Sequence, residues 1–154
     1  MTPTLPSKSE ETQTALLATF FVRDALCALD AVGIQEVIRL GPLTLVRHAP
    51  PAVAGIVNLR GKIVTVLDLG LRLGFPAIVP SVHSRIFITE DRNEFIGLLV
   101  DRVDEVVEID PAQLQPPPAN ISPGQGQFLK GICRAGNRVI TLLDTAAILG
   151  DCDV

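Results

Sequence analysis

The feature that most constrains this chain is a repeat with no gaps. Gly55 to Gly74, GIVNLRGKIVTVLDLGLRLG, returns 76 positions later as Gly131 to Gly150, and seven of the twenty positions are identical (Gly, Ile, Thr, Leu, Asp, Leu, Gly). Each copy reads as strand, tight turn, strand and short helix. Gly55-Ile56-Val57-Asn58-Leu59 and Lys62-Ile63-Val64-Thr65-Val66-Leu67 are rich in β-branched residues. Gly61 tolerates the left-handed backbone that a two-residue turn after Arg60 requires. Asp68 and Asp144 suit the N-cap of the short helix, and Gly74 suits its end. Two copies are too few for a solenoid, which needs about three. Two related halves around one interface is the arrangement the repeat predicts.

The rest of the chain reads as short strands. Ala15 to Val22 turns at Arg23-Asp24 and returns through Ala25 to Leu29. Asp30 to Ile38 fits a helical turn or a strand; Gly33 and the β-branched residues favour extended structure after one turn. Gly41 to Ala54, with Pro42, Pro50 and Pro51, is a loop. Arg85 to Thr89 and Glu94 to Val100 form a hairpin across residues 90–93. Asp101 to Ile109 echoes Asp30 to Ile38, and Asp110 to Gln127 is a Pro-rich connector without a regular element. Each half thus offers about five strands and a terminal helix. Five twisted strands with one apolar face curl into a small barrel, so two barrels side by side, tied by Leu71 to Ser84, are expected. Residues 1–14 and 151–154 read as tails around a folded unit spanning 15–150.

Composition excludes several function classes. Of the residues, 47% are hydrophobic and only 4% aromatic, all six being Phe, so Val, Ile and Leu must fill the interior. Net charge is −4, with ten Arg and three Lys scattered among seventeen acids, which is not the basic footprint of a nucleic-acid binder. No apolar run approaches the roughly 18 residues of a membrane helix, and the N-terminus lacks the order of a signal peptide; a cytoplasmic protein is expected. Cys27, Cys133 and Cys152 have no metal-binding spacing, and read as two buried thiols and one in the tail. His48 and His83 sit in loops with no acid or Cys at ligand or base spacing. Gly124-Gln125-Gly126 is not placed between a strand and a helix, so it is not a phosphate loop. Asp101, Asp104, Glu105 and Glu108 suit a solvated face better than a cation or basic-partner site. No nucleophile, base or metal set converges, so no enzyme and no cofactor is expected. A small-molecule-binding barrel would need a closed apolar pocket with polar groups inside, and the lack of aromatics argues against it. Arg60, at a hairpin tip beside Asn58, and Glu36, among Ile34, Val37 and Ile38, are the candidate contact residues.

Several motifs in order resemble the CheW-like chemotaxis adaptor family: Asn58-Leu59-Arg60-Gly61-Lys62-Ile63-Val64 with Leu67-Asp68-Leu69, then Gln35-Glu36-Val37-Ile38, Gly97-Leu98-Leu99-Val100-Asp101, Val103-Asp104-Glu105-Val106, Pro116-Pro117-Pro118, Phe128-Leu129-Lys130-Gly131 and Leu142-Leu143-Asp144. The resemblance spans about Leu16 to Leu149. It implies an all-β fold with short helices, built as two intertwined five-stranded SH3-like β-barrels that exchange strands. It implies a non-catalytic scaffold; the short chain, with no kinase or receiver domain attached, suggests a stand-alone adaptor, and because signalling contacts are typically small and transient a free monomer is expected. The implied partners are the cytoplasmic tip of a methyl-accepting chemoreceptor and the regulatory domain of a CheA-type histidine kinase; adaptors of gliding, pilus and other pathways share the pattern. By the same resemblance Glu36, Asn58, Arg60 and Val106 are partner-contact positions, Gly55 and Gly97 are glycines where a side chain disturbs coupling, and a groove between the barrels takes the receptor tip, with Glu36 and Arg60 at its rim. Thr65, where a Pro is frequent, and Gly70, which weakens a helix by about 1 kcal/mol relative to Ala, depart from the family pattern.

Overall fold

The computed structural model of the chain describes residues 14–117 and 126–150. Of the expected features, residues 1–13 of the N-terminal tail, the tail 151–154 with Cys152, Pro118, and Gly124-Gln125 lie outside the described residues. Among those described, the strands are β1 (Ala15–Val22), β2 (Ala25–Asp30), β3 (Ile34–Arg39), β4 (Val53–Leu59), β5 (Lys62–Asp68), β6 (Arg85–Asp91), β7 (Glu94–Val100), β8 (Arg102–Ile109), β9 (Leu129–Ala135) and β10 (Arg138–Leu143). The helices are α1 (Leu69–Arg72) and α2 (Thr145–Gly150).

Local chemistry accounts for the hairpins. The two-residue turns at Arg23-Asp24, Arg60-Gly61, Arg92-Asn93 and Gly136-Asn137 each place a residue at positive φ (Arg23 58°, Arg60 52°, Gly61 84°, Arg92 53°, Asn93 68°, Gly136 65°), the conformation that matches strand twist in tight hairpins. The β6–β7 turn is therefore two residues wide, not four as the sequence suggested, because Arg92 and Asn93 take up the left-handed conformation and β6 runs on to Asp91. Asp68 caps α1 through Oδ1, which accepts from Leu71 N at 3.1 Å, and its Oδ2 accepts from Ile78 N at 3.0 Å. Asp144 does the same for α2, accepting from Ala147 N at 3.2 Å. Gly70 does not disrupt α1. It makes room for the chain that folds back, since a Cβ there would lie 2.6 Å from Pro76 O.

The two five-stranded sheets run β8-β1-β2-β10-β9 and β3-β6-β7-β5-β4; we call them barrels A and B. The halves are not separate barrels, which corrects the side-by-side reading of the strand count and matches the intertwined form. Each half sends its first hairpin (β1–β2 or β6–β7) into the sheet formed by the last three strands of the other half. Both sheets then have the same plan, with one parallel pairing each, β2 with β10 and β5 with β7. The echoed Asp30 and Asp101 stand at the two crossings between barrels. Asp30 Oδ1 accepts from Val32 N to start a 3-10 turn at Ala31–Gly33, and Asp101 Oδ2 accepts from Arg23 N.

Each sheet curls until its edges meet. Thr44, beyond β3, exchanges backbone hydrogen bonds of 2.9 and 2.8 Å with Ile56 on β4, and Gln115, beyond β8, exchanges two of 2.8 Å with Ile132 on β9. Neither connector is therefore wholly irregular: the first holds this bridge and yields to β4 at Val53, and the second holds a 3-10 turn at Pro111–Gln113 besides its bridge. The first glycine of the repeat is a consequence of closure. A Cβ on Gly55 would lie 2.7 Å from Thr44 O, and one on Gly131 would lie 2.6 Å from Leu114 Cγ and 2.7 Å from Gln115 O.

Three apolar clusters result. Leu17, Ala28, Ile109, Cys133, Ile140 and Leu142 fill barrel A; Val64, Val66, Ile78, Ile86, Ile88 and Leu99 fill barrel B. The third and largest lies between the barrels and draws on both, with Phe20, Val22 and Leu29 meeting Leu67, Phe87 and Leu98. The exchanged strands thus face a core on each side, which is why ALLATFFV and EFIGLLV read as continuous apolar runs while edge strand β3 alternates.

Candidate functional site

The β4–β5 hairpin ends in Arg60, held at φ 52°. Asn58 maintains that turn: its Oδ1 accepts from Gly61 N at 2.9 Å, an arrangement Asn favours in turns. Asn58 is thus a support for Arg60. From the opposite edge of the same sheet comes Glu36. The β3–β6 register shifts between Ile34 and Glu36, and this bulge leaves Gln35 unpaired; such a kink re-aims the neighbouring side chain.

Glu36 and Arg60, 24 residues apart, meet across the seam. Arg60 Nη1 donates to Glu36 Oε1 at 2.6 Å and Nη2 to Oε2 at 2.8 Å, a bidentate fork. The hydrogen bond from Arg60 holds the Glu36 carboxyl below its usual range and in turn raises Arg60. The guanidinium side chain stays 72% exposed and the carboxylate side chain 27%, so the pair is a solvent-facing feature of this corner. Exposed pairs of this kind add little to stability.

Val106 does not join this corner. It is 61% exposed on edge strand β8 of barrel A, paired with Ala18. Gly97 is buried in β7, where a Cβ would lie 2.6 Å from Ile86 Cγ2 inside barrel B. Gly55 and Gly97 thus occupy space that only hydrogen leaves free, and neither presents a contact surface. The cavity at the junction of the barrels, of about 470 Å³, is lined by His83, Arg85, Arg102 and Val103, and its lining includes neither Glu36 nor Arg60.

The acidic run on β8 is internally engaged. Asp104 pairs with Arg138, whose Nη1 also lies 3.8 Å from Glu105 Oε2. Thr19, fully buried, places its hydroxyl in the β1–β8 bulge and accepts from Glu105 N at 2.9 Å. Barrel A thus carries its own link from edge strand to hairpin, as barrel B does with Glu36 and Arg60. Sequence reading missed it, although the 76-residue offset maps Lys62 onto Arg138.

His48 and His83 are exposed, and among the described residues no three His, Cys, Asp or Glu side chains are grouped to hold a metal. Cys27 is buried and burial pushes its thiol up to about 12; Cys133 is buried and raised for the same reason. Both barrel interiors are filled by side chains, which disfavours a small-molecule-binding barrel. No helix among the described residues is long and apolar enough to cross a membrane.

The CheW-like domain family matches residues 17–153. The chain is 29% identical over 135 residues to a probable chemotaxis protein CheW of Rhizobium etli, covering 88% of this chain and 87% of that one. It is 30% identical over 132 residues to the chemotaxis protein CheW of Rhizobium meliloti, covering 86% and 85%. The crystal structure of the scaffolding protein TtCheW from Thermoanaerobacter tengcongensis superposes with a TM-score of 0.77 at 33% identity, over 84% of each chain.

Proposed function

The chain belongs to the CheW-like family, and on that premise we propose that the Glu36–Arg60 corner of barrel B engages the cytoplasmic tip of a methyl-accepting chemoreceptor while the Val106 face of barrel A engages the regulatory domain of a CheA-type kinase. The protein is a non-catalytic adaptor of chemotaxis signalling. An adaptor needs two faces that do not compete. What supports the reading is the separation of the expected contact residues: Glu36, Asn58 and Arg60 share one corner of barrel B, and Val106 lies on the other barrel.

The observation that carries the receptor assignment is the bidentate pair held in solvent at a hairpin tip. Its geometry is set before any partner arrives, so a partner does not have to immobilise a long Arg side chain. Exposed Val37 on β3 and Ile63 on β5 add apolar surface to the strands that carry the pair. Such a corner suits a helical hairpin that offers a charged residue next to apolar ones. The cytoplasm is where these partners place the protein.

The test is a pulldown with a receptor cytoplasmic fragment and a kinase regulatory domain, using wild type and Arg60→Glu. The expected result is that Arg60→Glu keeps its circular dichroism and its kinase binding and loses the receptor. A folded Arg60→Glu protein that still captures the receptor fragment would overturn the assignment.

A further inference from the structure

Where the chain leaves barrel B for barrel A, it gathers positive charge without acids to match. β7 ends at Val100, and β8 begins two residues on at Arg102. Val100 is the ladder partner of Arg85, and Arg85 is also the partner of Arg39 on β3. Directly opposed residues of an antiparallel pair share a face about 5 Å apart, and like charges there are unfavourable. Arg39, Arg85 and Arg102 make no ion pair with any described residue; the ion pairs among those residues use Arg60 and Arg138. Asp101, beside Arg102, is turned to Arg23 N.

The cavity of about 470 Å³ opens at this crossing, and no carboxylate of the described residues lines it. Two of its lining cations are held in place. Arg85 Nη1 donates to Val82 O and Ser84 O, both at 2.9 Å, so its Nε and Nη2 donors have no acceptor among the described residues. The Arg102 guanidinium lies 4.0 Å over the Phe21 ring, a stacking that leaves the in-plane donors free. His83 adds a third polar group.

We propose that this cleft binds a small phosphate-bearing anion, held between Arg85 of barrel B and Arg102 of barrel A. Two guanidinium forks on one cavity match a multivalent oxyanion, and the volume is that of a small-ligand site. Among the described residues the lining offers a single apolar side chain, Val103, so a protein segment would bury little there. The bound anion neutralises Arg85 and Arg102 and ties the two barrels together at their crossing, a role separate from the Glu36–Arg60 corner.

The probe is inorganic pyrophosphate, titrated calorimetrically into the full chain at low ionic strength, with sodium chloride of equal ionic strength as the blank. Saturable binding is expected. Arg85→Gln and Arg102→Gln should each weaken it by about tenfold or more, the loss of one charge-assisted fork. Arg138→Gln, in the barrel A ion pair, should bind as wild type. Pyrophosphate should raise the melting temperature of the wild type, and that rise should vanish in Arg102→Gln. Absence of saturable binding, or equal binding by the wild type and both cleft variants, overturns the proposal. A nucleoside diphosphate binding more tightly than pyrophosphate would support it and add a base to the ligand.

Discussion

Truncating Phe20 to Ala tests whether the two barrels are one folding unit. Phe20, fully buried on β1, meets Phe87 of β6 edge-on in the shared core, with centroids 5.2 Å apart and ring planes at 61°. One ring belongs to a strand of barrel A and the other to a strand of barrel B. Phe→Ala in such a site costs about 3–5 kcal/mol, of which the edge-to-face pair accounts for about 0.5–1.5. Against a total stability of about 5–15 kcal/mol, Phe20→Ala should lower the melting temperature by roughly 6–20 °C. The assay is urea unfolding followed by circular dichroism and hydrogen exchange. A single transition with an unchanged m-value is expected for Phe20→Ala, Phe87→Ala and the double variant. The double variant should lose about 1 kcal/mol less than the sum of the two, because the pair is lost only once. Two separated transitions, with barrel B surviving the loss of Phe20, would refute the interlocked core, as would strict additivity.

The seams, the charged corner and the thiols each give a further expected outcome. Gly55→Ala and Gly131→Ala should each cost about 1–3 kcal/mol in urea unfolding, because the closing backbone lies under 3 Å from the added carbon; Gly33→Ala, with open space around it, should stay within about 0.5 kcal/mol, and equal costs at the three sites would sink the closure argument. The Glu36 carboxyl should titrate at lower pH in wild type than in Arg60→Ala by carbon NMR. Since its folded pKa is depressed, its stabilising effect is present above the unfolded value near 4.5 and fades as pH falls through the folded one; identical titrations would show the fork absent in solution. Cys27, its thiol pushed up to about 12, should react with a thiol reagent at pH 8 only as the protein unfolds, and rapid modification of the native chain would contradict its burial.

Much of this was legible in the chain because it is local. The repeat, the hairpin turns, the caps at Asp68 and Asp144 and the turn-then-strand at Asp30–Ile38 depend on residues within a few positions of one another, so propensity and spacing carry them. The motif order of the family resemblance named the fold class and marked Glu36, Asn58 and Arg60. Tertiary structure decided the pairing. Strand count allows each half to close on itself, and only the shared core, which buries Phe20 against Phe87, selects the exchange of first hairpins. It decided that Gly55 and Gly131 sit under a closing strand, that Asn58 supports Arg60, that a bulge aims Glu36 at Arg60 across a seam, and that Val106 stands on the other barrel. It also brought Arg39, Arg85 and Arg102 together without acids. Such contacts join residues tens of positions apart, where side-chain packing and register, rather than local preference, set the free energy.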